Sequence, residues 1–251
     1  MENKLKLDDR RQKILDILHQ NGKVSVAAIS RELGTTPVTI RSDLTALEQE
    51  GHLIRVQGGA VLPPRNKGNQ TIPTVSNVEE KKRIAAAIAA MIRDGDTLFI
   101  NSGTTTEYVA TALEIRTSLN IVTNSLAVAT ILGEIPSFRV ILVGGEINAQ
   151  YGFTYGGDAL SQLEKYNAHW AILSIDGIST ACGITTRHAE EAIVDRTMIA
   201  NASNTLIVAD HSKIERAGFA RVRDDLEGIT VVTDSNNTDE LSSAGMIIIN
   251  V

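Results

Sequence analysis

Five consecutive residues, Ser102-Gly103-Thr104-Thr105-Thr106, set four hydroxyls around one glycine. They follow the apolar run Leu98-Phe99-Ile100 and precede a helical pattern, so the loop lies where a strand gives way to a helix. Hydroxyls and backbone N–H groups at a helix start can wrap an oxyanion such as a phosphate. The loop lacks the lysine of a nucleotide-binding P-loop, and no Gly-x-Gly-x-x-Gly occurs in the chain. Nucleotide and dinucleotide cofactors are therefore not expected, nor is a metal ion.

Other polar or glycine clusters follow later apolar runs. Asn124 stands in Thr123-Asn124-Ser125, Gly144 and Gly145 precede Glu146, Asp176 opens Asp176-Gly177-Ile178-Ser179, and Lys213 closes Asp210-His211-Ser212-Lys213. Glycines there would let a ligand touch the backbone. Asp176 is a poor strand residue that a ligand hydroxyl or a turn N–H would satisfy, and Lys213 offers a cation. Turn chemistry alone would explain any one of these clusters. Their recurrence makes Ser102, Gly103, Thr104, Thr105, Thr106, Asn124, Gly144, Gly145, Asp176 and Lys213 the candidate ligand site.

The elements that would position them alternate. Strands are expected at residues 96–100, 119–123, 139–143, 170–175, 205–209, 230–233 and 246–250. Helices are expected at 77–93, 105–114, 126–133, 158–166, 189–200 and 239–244. Continuous apolar strands alternating with helices imply an α/β domain whose mainly parallel sheet is covered on both faces. In such folds ligands sit outside the carboxyl ends of the strands.

A second constellation lies near the N-terminus. Thr36 is a good N-cap and Pro37 suits the first helical position. Ile40, Leu44 and Leu47 then share one helix face. The opposite face carries Val38, Ser42, Thr45 and Gln49, flanked by Thr39 and Arg41. Short hydroxyl side chains with one arginine suit close approach to base edges and phosphates. Upstream, a helix from Asp8 to Gln20 and another from Ser25 to Gly34 complete a helix-turn-helix pattern. Downstream, residues 52–55 and 60–62 flank Gly58-Gly59, the pattern of a short hairpin or wing. Thr36, Val38, Thr39, Arg41, Ser42, Thr45, Arg55 and Gln57 are the candidate DNA-reading residues, with Lys23 and Arg31 as further phosphate contacts.

The whole chain bounds these readings. Its 251 residues carry a net charge of −6, split between +1 over residues 1–62 and −7 over the remainder. A less acidic end attached to an acidic body fits local, modest nucleic-acid affinity. Three of the five prolines fall in 63–73, which reads as a spacer. The expected organisation is a small α+β winged helix-turn-helix at 1–62, a linker at 63–76 and the α/β domain at 77–251. No apolar run is long enough to span a membrane. A single cysteine, Cys182, fits a reducing cytoplasm and reads as a space-filling residue.

Thr39-Ile40-Arg41-x-Asp43-Leu44-x-x-Leu47-Glu48, followed by Leu53-Ile54-Arg55 and Gly58-Gly59-Ala60, resembles the N-terminal winged helix of DeoR-type bacterial transcription regulators. Ser102 to Thr106, Thr123-Asn124-Ser125, Gly144-Gly145, Asp176 to Ser179 with Gly183-Ile184-Thr185-Thr186, and Ala209 to Lys213 are similar to blocks of the same family's second domain. That domain is similar in fold to ribose-phosphate isomerases and CoA transferases. The chain departs from the family at Ser42, where members often carry a second basic residue, and at His169, where they often have Asp. The resemblance implies a homo-oligomeric, ligand-controlled repressor of a carbohydrate-utilisation operon. It would bind double-stranded operator DNA and a phosphorylated sugar or polyol, without turnover. A sugar-phosphate isomerase or transferase-like enzyme is the alternative, with Asp176, Lys213 and Glu190 or Glu191 in the acid–base roles.

Overall fold

A computed structural model describes residues 7–49, 53–56, 58–61 and 76–251, which fall into two compact units, Met1–Thr74 and Val75–Val251. Gln57, Gly51 and the proline-bearing spacer lie outside the described residues.

In the first unit, α1 (Leu7–Asn21) and β1 (Lys23–Ser25) precede α2 (Val26–Glu32) and α3 (Pro37–Gln49), followed by β2 (Ile54–Val56) and β3 (Gly59–Val61). Both caps read from the sequence form. Ser25 Oγ accepts from the Ala28 N–H at 3.1 Å, and Thr36 Oγ1 accepts from the Thr39 N–H at 3.2 Å. Ile14, Leu18, Val26, Ile29, Ile40, Leu44 and Leu47 interlock as the core. Asp43, buried on α3, receives Arg10 Nε at 2.6 Å and Nη2 at 3.1 Å. This two-pronged pair fixes α3 against α1. The wing departs from expectation by one strand. Lys23–Ser25 pairs with β3, giving an antiparallel order β1-β3-β2. Three residues between two helices are too few to show a strand period.

The second unit is built on seven parallel strands. In chain order its elements are α4 (Val78–Met91), β4 (Thr97–Ile100), α5 (Thr104–Ala112), β5 (Asn120–Thr123), α6 (Leu126–Gly133), β6 (Arg139–Leu142), β7 (Glu146–Asn148), β8 (Phe153–Tyr155), α7 (Gly157–Leu163), β9 (Ala168–Ser174), β10 (Gly177–Ser179), β11 (Gly183–Thr186), α8 (Ala189–Ala200), β12 (Ala202–Val208), β13 (Ala220–Arg223), β14 (Thr230–Thr233), α9 (Asp239–Ser243) and β15 (Ile247–Asn250). The large sheet runs β15-β14-β12-β9-β4-β5-β6. Alternate residues face opposite sides: Leu98, Ile100, Ile121, Ile172 and Leu206 pack towards α4, α5 and α6, while Phe99, Val122, Leu173 and Ile207 pack towards α7, α8 and α9. Both faces are therefore covered, which is why the strands read as continuous apolar runs.

Successive strands step outward from β4 to β6 in one direction and from β9 to β15 in the other. The order reverses between β4 and β9, the switch point at which open α/β sheets leave a crevice. Two smaller sheets depart from the sequence reading. Glu146 opens a β7–β8 hairpin, and the segments read as strand-end loops at 177–179 and 183–186 pair as β10 and β11, with β13 beside them. These strands are three or four residues long, and β10 and β11 consist largely of glycine and hydroxyl residues, so their local composition matches a turn.

Candidate functional site

Asn101 follows β4 directly and joins the two strands at the switch point. Its side-chain oxygen accepts from the Ser174 N–H at 2.8 Å, and its amide donates to the Ser174 carbonyl and to Asp195 Oδ1, each at 2.9 Å. The hydroxyl loop follows directly. Gly103 has φ +152°, and a Cβ there would lie 2.6 Å from the Ser174 side chain, so the loop rests on the end of β9.

The hydroxyls of this loop are less available than the sequence suggests. Ser102 donates to Glu191 Oε1 at 2.9 Å, and Thr106 donates to the carbonyls of Gly103 at 2.8 Å and Asn101 at 3.0 Å. Thr105 is buried, while Gly103 and Thr104 are partly exposed. Behind the loop stand two carboxyl groups on α8. Glu191 also receives the Thr186 hydroxyl, at 2.5 Å, and Asp195 is fully buried, with Oδ2 lacking a partner among the described residues. Burial raises the pKa of both, and the charge of Glu191 pushes Asp195 further, well above the usual carboxylate range.

Asp176 lies beyond Thr186. Its Oδ2 accepts from the Arg187 N–H at 2.8 Å and stands 3.3 Å from the Thr186 hydroxyl. The turn N–H foreseen as a partner for this carboxylate is thus present. Its Oδ1 faces Lys213 Nζ at 3.5 Å and Arg187 Nη2 at 3.9 Å. A cavity of about 410 Å³ opens here, lined by Asp176, Arg187, Ser212, Lys213, Arg216 and Phe219 among others. Lys213 is set in place by the turn before it. Asp210 accepts from the Ser212 N–H at 3.0 Å and is itself held by Lys81 of α4 at 2.9 Å.

The structure thus links Ser102, through Glu191 and Thr186, to Asp176 and Lys213. Asn124, Gly144 and Gly145 have other neighbours. The Asn124 amide donates to the Thr154 carbonyl at 3.1 Å, the Gly144 N–H donates to Gln162 at 3.1 Å, and Gly145 packs against Tyr155 and Ala159. Sequence reasoning missed Arg187 and Arg216, which follow no long strand. The one available signal was the position of Arg187 next to Gly183-Ile184-Thr185-Thr186. A second cavity, of about 300 Å³, lies among β4, β5 and β6 near Thr97, Asn120 and Arg139, the residues that open those strands.

On α3, Val38, Arg41 and Ser42 are exposed, and Thr39 and Thr45 are partly so. Thr45 accepts from Arg55 Nη1 at 2.9 Å, and Glu48 accepts from the Arg55 N–H at 2.8 Å, which ties β2 to α3. Lys23, Arg31, Ile54, Arg55 and Val56 are exposed as well. His169, exposed, stands 3.0 Å from Asp96.

Two family descriptions match separate stretches of the chain. The DeoR-like helix-turn-helix domain matches residues 10–66, and the DeoR C terminal sensor domain matches residues 76–235. The transcriptional repressor GlcR of Bacillus subtilis is 32% identical over 90% of this chain and 88% of its own. The glycerol-3-phosphate regulon repressor of Escherichia coli is 35% identical over 84% of each. The lactose phosphotransferase system repressor of Lactococcus lactis is 31% identical over 90% of each. Among solved structures, a ribose 5-phosphate isomerase from Methanocaldococcus jannaschii aligns over 55% of each chain, with a TM-score of 0.42 and 14% identity. With matches to both of its domains and relatives of this identity along most of its length, the chain belongs to the DeoR family.

Proposed function

We propose that this protein is a transcription repressor whose affinity for operator DNA is set by a phosphorylated sugar or polyol, bound outside the ends of β4 and β9. The observation that carries the reading is one chain holding both a small winged helix with an exposed hydroxyl-and-arginine face and a separate α/β unit with a polar, cationic crevice beyond the end of β9. Relatives named as repressors of a glycerol-3-phosphate regulon and of a lactose phosphotransferase system support the chemical class of the ligand. Ser102 to Thr106, Asp176 and Lys213 would contact the ligand, while α3 and the wing would contact DNA. Successive major grooves on one face of a duplex need two recognition helices about one turn apart, so the acting form is a homo-oligomer. Ligand changes DNA affinity only if it prefers one arrangement of the protein over another.

Melting the full chain with a panel of sugar phosphates and the matching free sugars tests this. At about 100 times Kd a true effector adds roughly 2.7 kcal/mol, a shift of roughly 5–10 °C for a unit of this size. Equal shifts with phosphorylated and free sugars would sink the reading. Conversion of a panel member to product would assign isomerase or transferase-like chemistry instead.

A further inference from the structure

The crevice at the end of β9 is unequal in charge. Arg187, Lys213 and Arg216 line one cavity, and Asp176 is the carboxylate among its lining residues. The hydroxyl loop has the opposite character, because Ser102 and Thr106 already donate inward and Glu191 stands directly behind it. We infer that the anionic end of the ligand docks on Arg187, Lys213 and Arg216, and that the loop from Ser102 to Thr106 receives its uncharged hydroxyls. The inference rests on the sugar-phosphate reading above and fixes the direction in which such a ligand lies.

Donor supply favours the cations. A phosphate dianion needs several donors and positive charge. Arginine offers a planar fork that matches phosphate oxygens, and lysine adds a point charge. On the loop, Thr104 is partly exposed but carries no charge. The two carboxyl groups of α8 would oppose a dianion whenever they ionise.

Asp176 shows how the cations can be released. Its Oδ2 is held at 2.8 Å by the Arg187 N–H. Its Oδ1 stands 3.5 Å from Lys213 and 3.9 Å from Arg187, beyond good hydrogen-bond length. A ligand oxyanion can therefore take both cations while Asp176 keeps its backbone bond, and Oδ1 then remains as an acceptor for a neighbouring ligand hydroxyl.

The cations are also placed in advance. The segment carrying Arg216 is pressed backbone to backbone onto β10 and β11. A Cβ on Gly177 would lie 2.4 Å from the Arg216 carbonyl oxygen, and one on Gly218 would lie 2.5 Å from that of Thr186. The Gly218 N–H also donates to Thr185 Oγ1 at 2.7 Å. Lys213 rises from the turn that Asp210 and Lys81 anchor. Such pre-organisation lowers the ordering cost of binding. Phe219, 89% exposed, stands at the mouth, where it can cover the apolar side of a bound ligand.

Inorganic phosphate is the probe. Titrated into the full chain at constant ionic strength with chloride as reference, it should raise the melting temperature of the C-terminal unit. The double variant Arg187→Gln/Arg216→Gln should weaken phosphate at least tenfold, while Thr104→Val should leave it within about twofold. Both arginines are exposed, so the double variant keeps the fold, and Arg216→Lys in its place should restore part of the affinity by charge alone. No phosphate protection of the unmodified protein, or protection lost in Thr104→Val and kept in the double variant, overturns the inference. The sugar panel separates the two readings. A phosphorylated sugar that binds the double variant normally leaves the repressor reading standing and removes this one. A panel without any response removes the sugar-phosphate reading, whatever phosphate does.

Discussion

The Lys81 ammonium lies 2.9 Å from Asp210 Oδ2, and both side chains are buried although 129 residues separate them. Lys81 also donates to the Ser76 carbonyl at 2.5 Å, and Asn77 donates to Asp210 Oδ1 at 2.9 Å. One carboxylate thus joins the first residues of the C-terminal unit to the turn that presents Lys213.

Removing one member should be costly. Burial alone would raise the Asp210 pKa, but hydrogen bonds from Ser212, Lys81 and Asn77 outweigh it and bring it down to about 2. A depressed carboxylate stabilises the fold above its unfolded pKa, and that stability is lost as pH falls from about 4 towards 2. Lys81→Met should lower the stability of the C-terminal unit by about 3 kcal/mol, because it leaves a buried charge unpaired. Lys81→Met with Asp210→Asn should recover most of that loss. Urea unfolding at pH 7 and at pH 3 checks both statements, and a double variant no more stable than the single one would refute them.

That pair shows where sequence reading stops. Ile40, Leu44 and Leu47, the Thr36 cap and the seven apolar strands were legible because each is a local period or a local hydrogen bond. Lys81 lies inside the helix expected at 77–93, and nothing local reveals a partner 129 residues away. Arg187 and Arg216 were illegible for a related reason. They meet only because β10, β11 and the segment after Lys213 fold over one another, and the two strands are too short to announce themselves. Ser102 and Thr106 were visible as hydroxyls, but their partners are set by tertiary contacts. The loop was therefore located correctly in the fold, while its free donors were overcounted.

Asp195 should make the protein less stable as pH rises. Burial first, then the Glu191 charge, raise its pKa, so the folded state keeps a proton that the unfolded chain releases near pH 4. Stability must then fall as pH climbs from about 4 towards the elevated value. Asp195→Asn keeps an acceptor for Asn101 and removes the ionisation. It should stabilise the fold at pH 7 and flatten the fall in stability above pH 4. A part of the slope remains with Glu191, whose pKa is also raised, burial being the main cause. A less stable Asn variant with an unchanged slope would show that Asp195 is ionised in the folded protein.

Gly103→Ala should separate the ligand response from DNA recognition. The new methyl would meet Ser174 Cβ and Oγ at 2.6 Å, at a backbone φ of +152° that side chains rarely adopt. The loop must shift off β9, at a cost of about 1–3 kcal/mol. Operator affinity without ligand should hold, because the N-terminal unit is untouched, and the ligand-induced change should weaken. Ser174→Gly added to it should return part of the stability but not all, since the φ strain remains. Full return would mean that the collision alone sets the cost.

Arg41→Ala tests the face of α3 directly. Arg41 is exposed, while Ile40 and Leu44 on either side of it are fully buried, so losing its guanidinium leaves the core intact. If the arginine reads a base, operator binding should weaken by roughly 1–3 kcal/mol and specificity at one position should relax. If it holds a phosphate, affinity should fall on every sequence, with a salt slope smaller by about one. Asp43→Asn would also reduce DNA binding, by another route. It removes the carboxylate that receives Arg10 at 2.6 Å, so it should lower the melting temperature of the N-terminal unit, which Arg41→Ala should not. Gel shifts and melts of the two variants side by side keep the routes apart. A folded Arg41→Ala protein with unchanged operator affinity and salt slope would remove α3 from the groove.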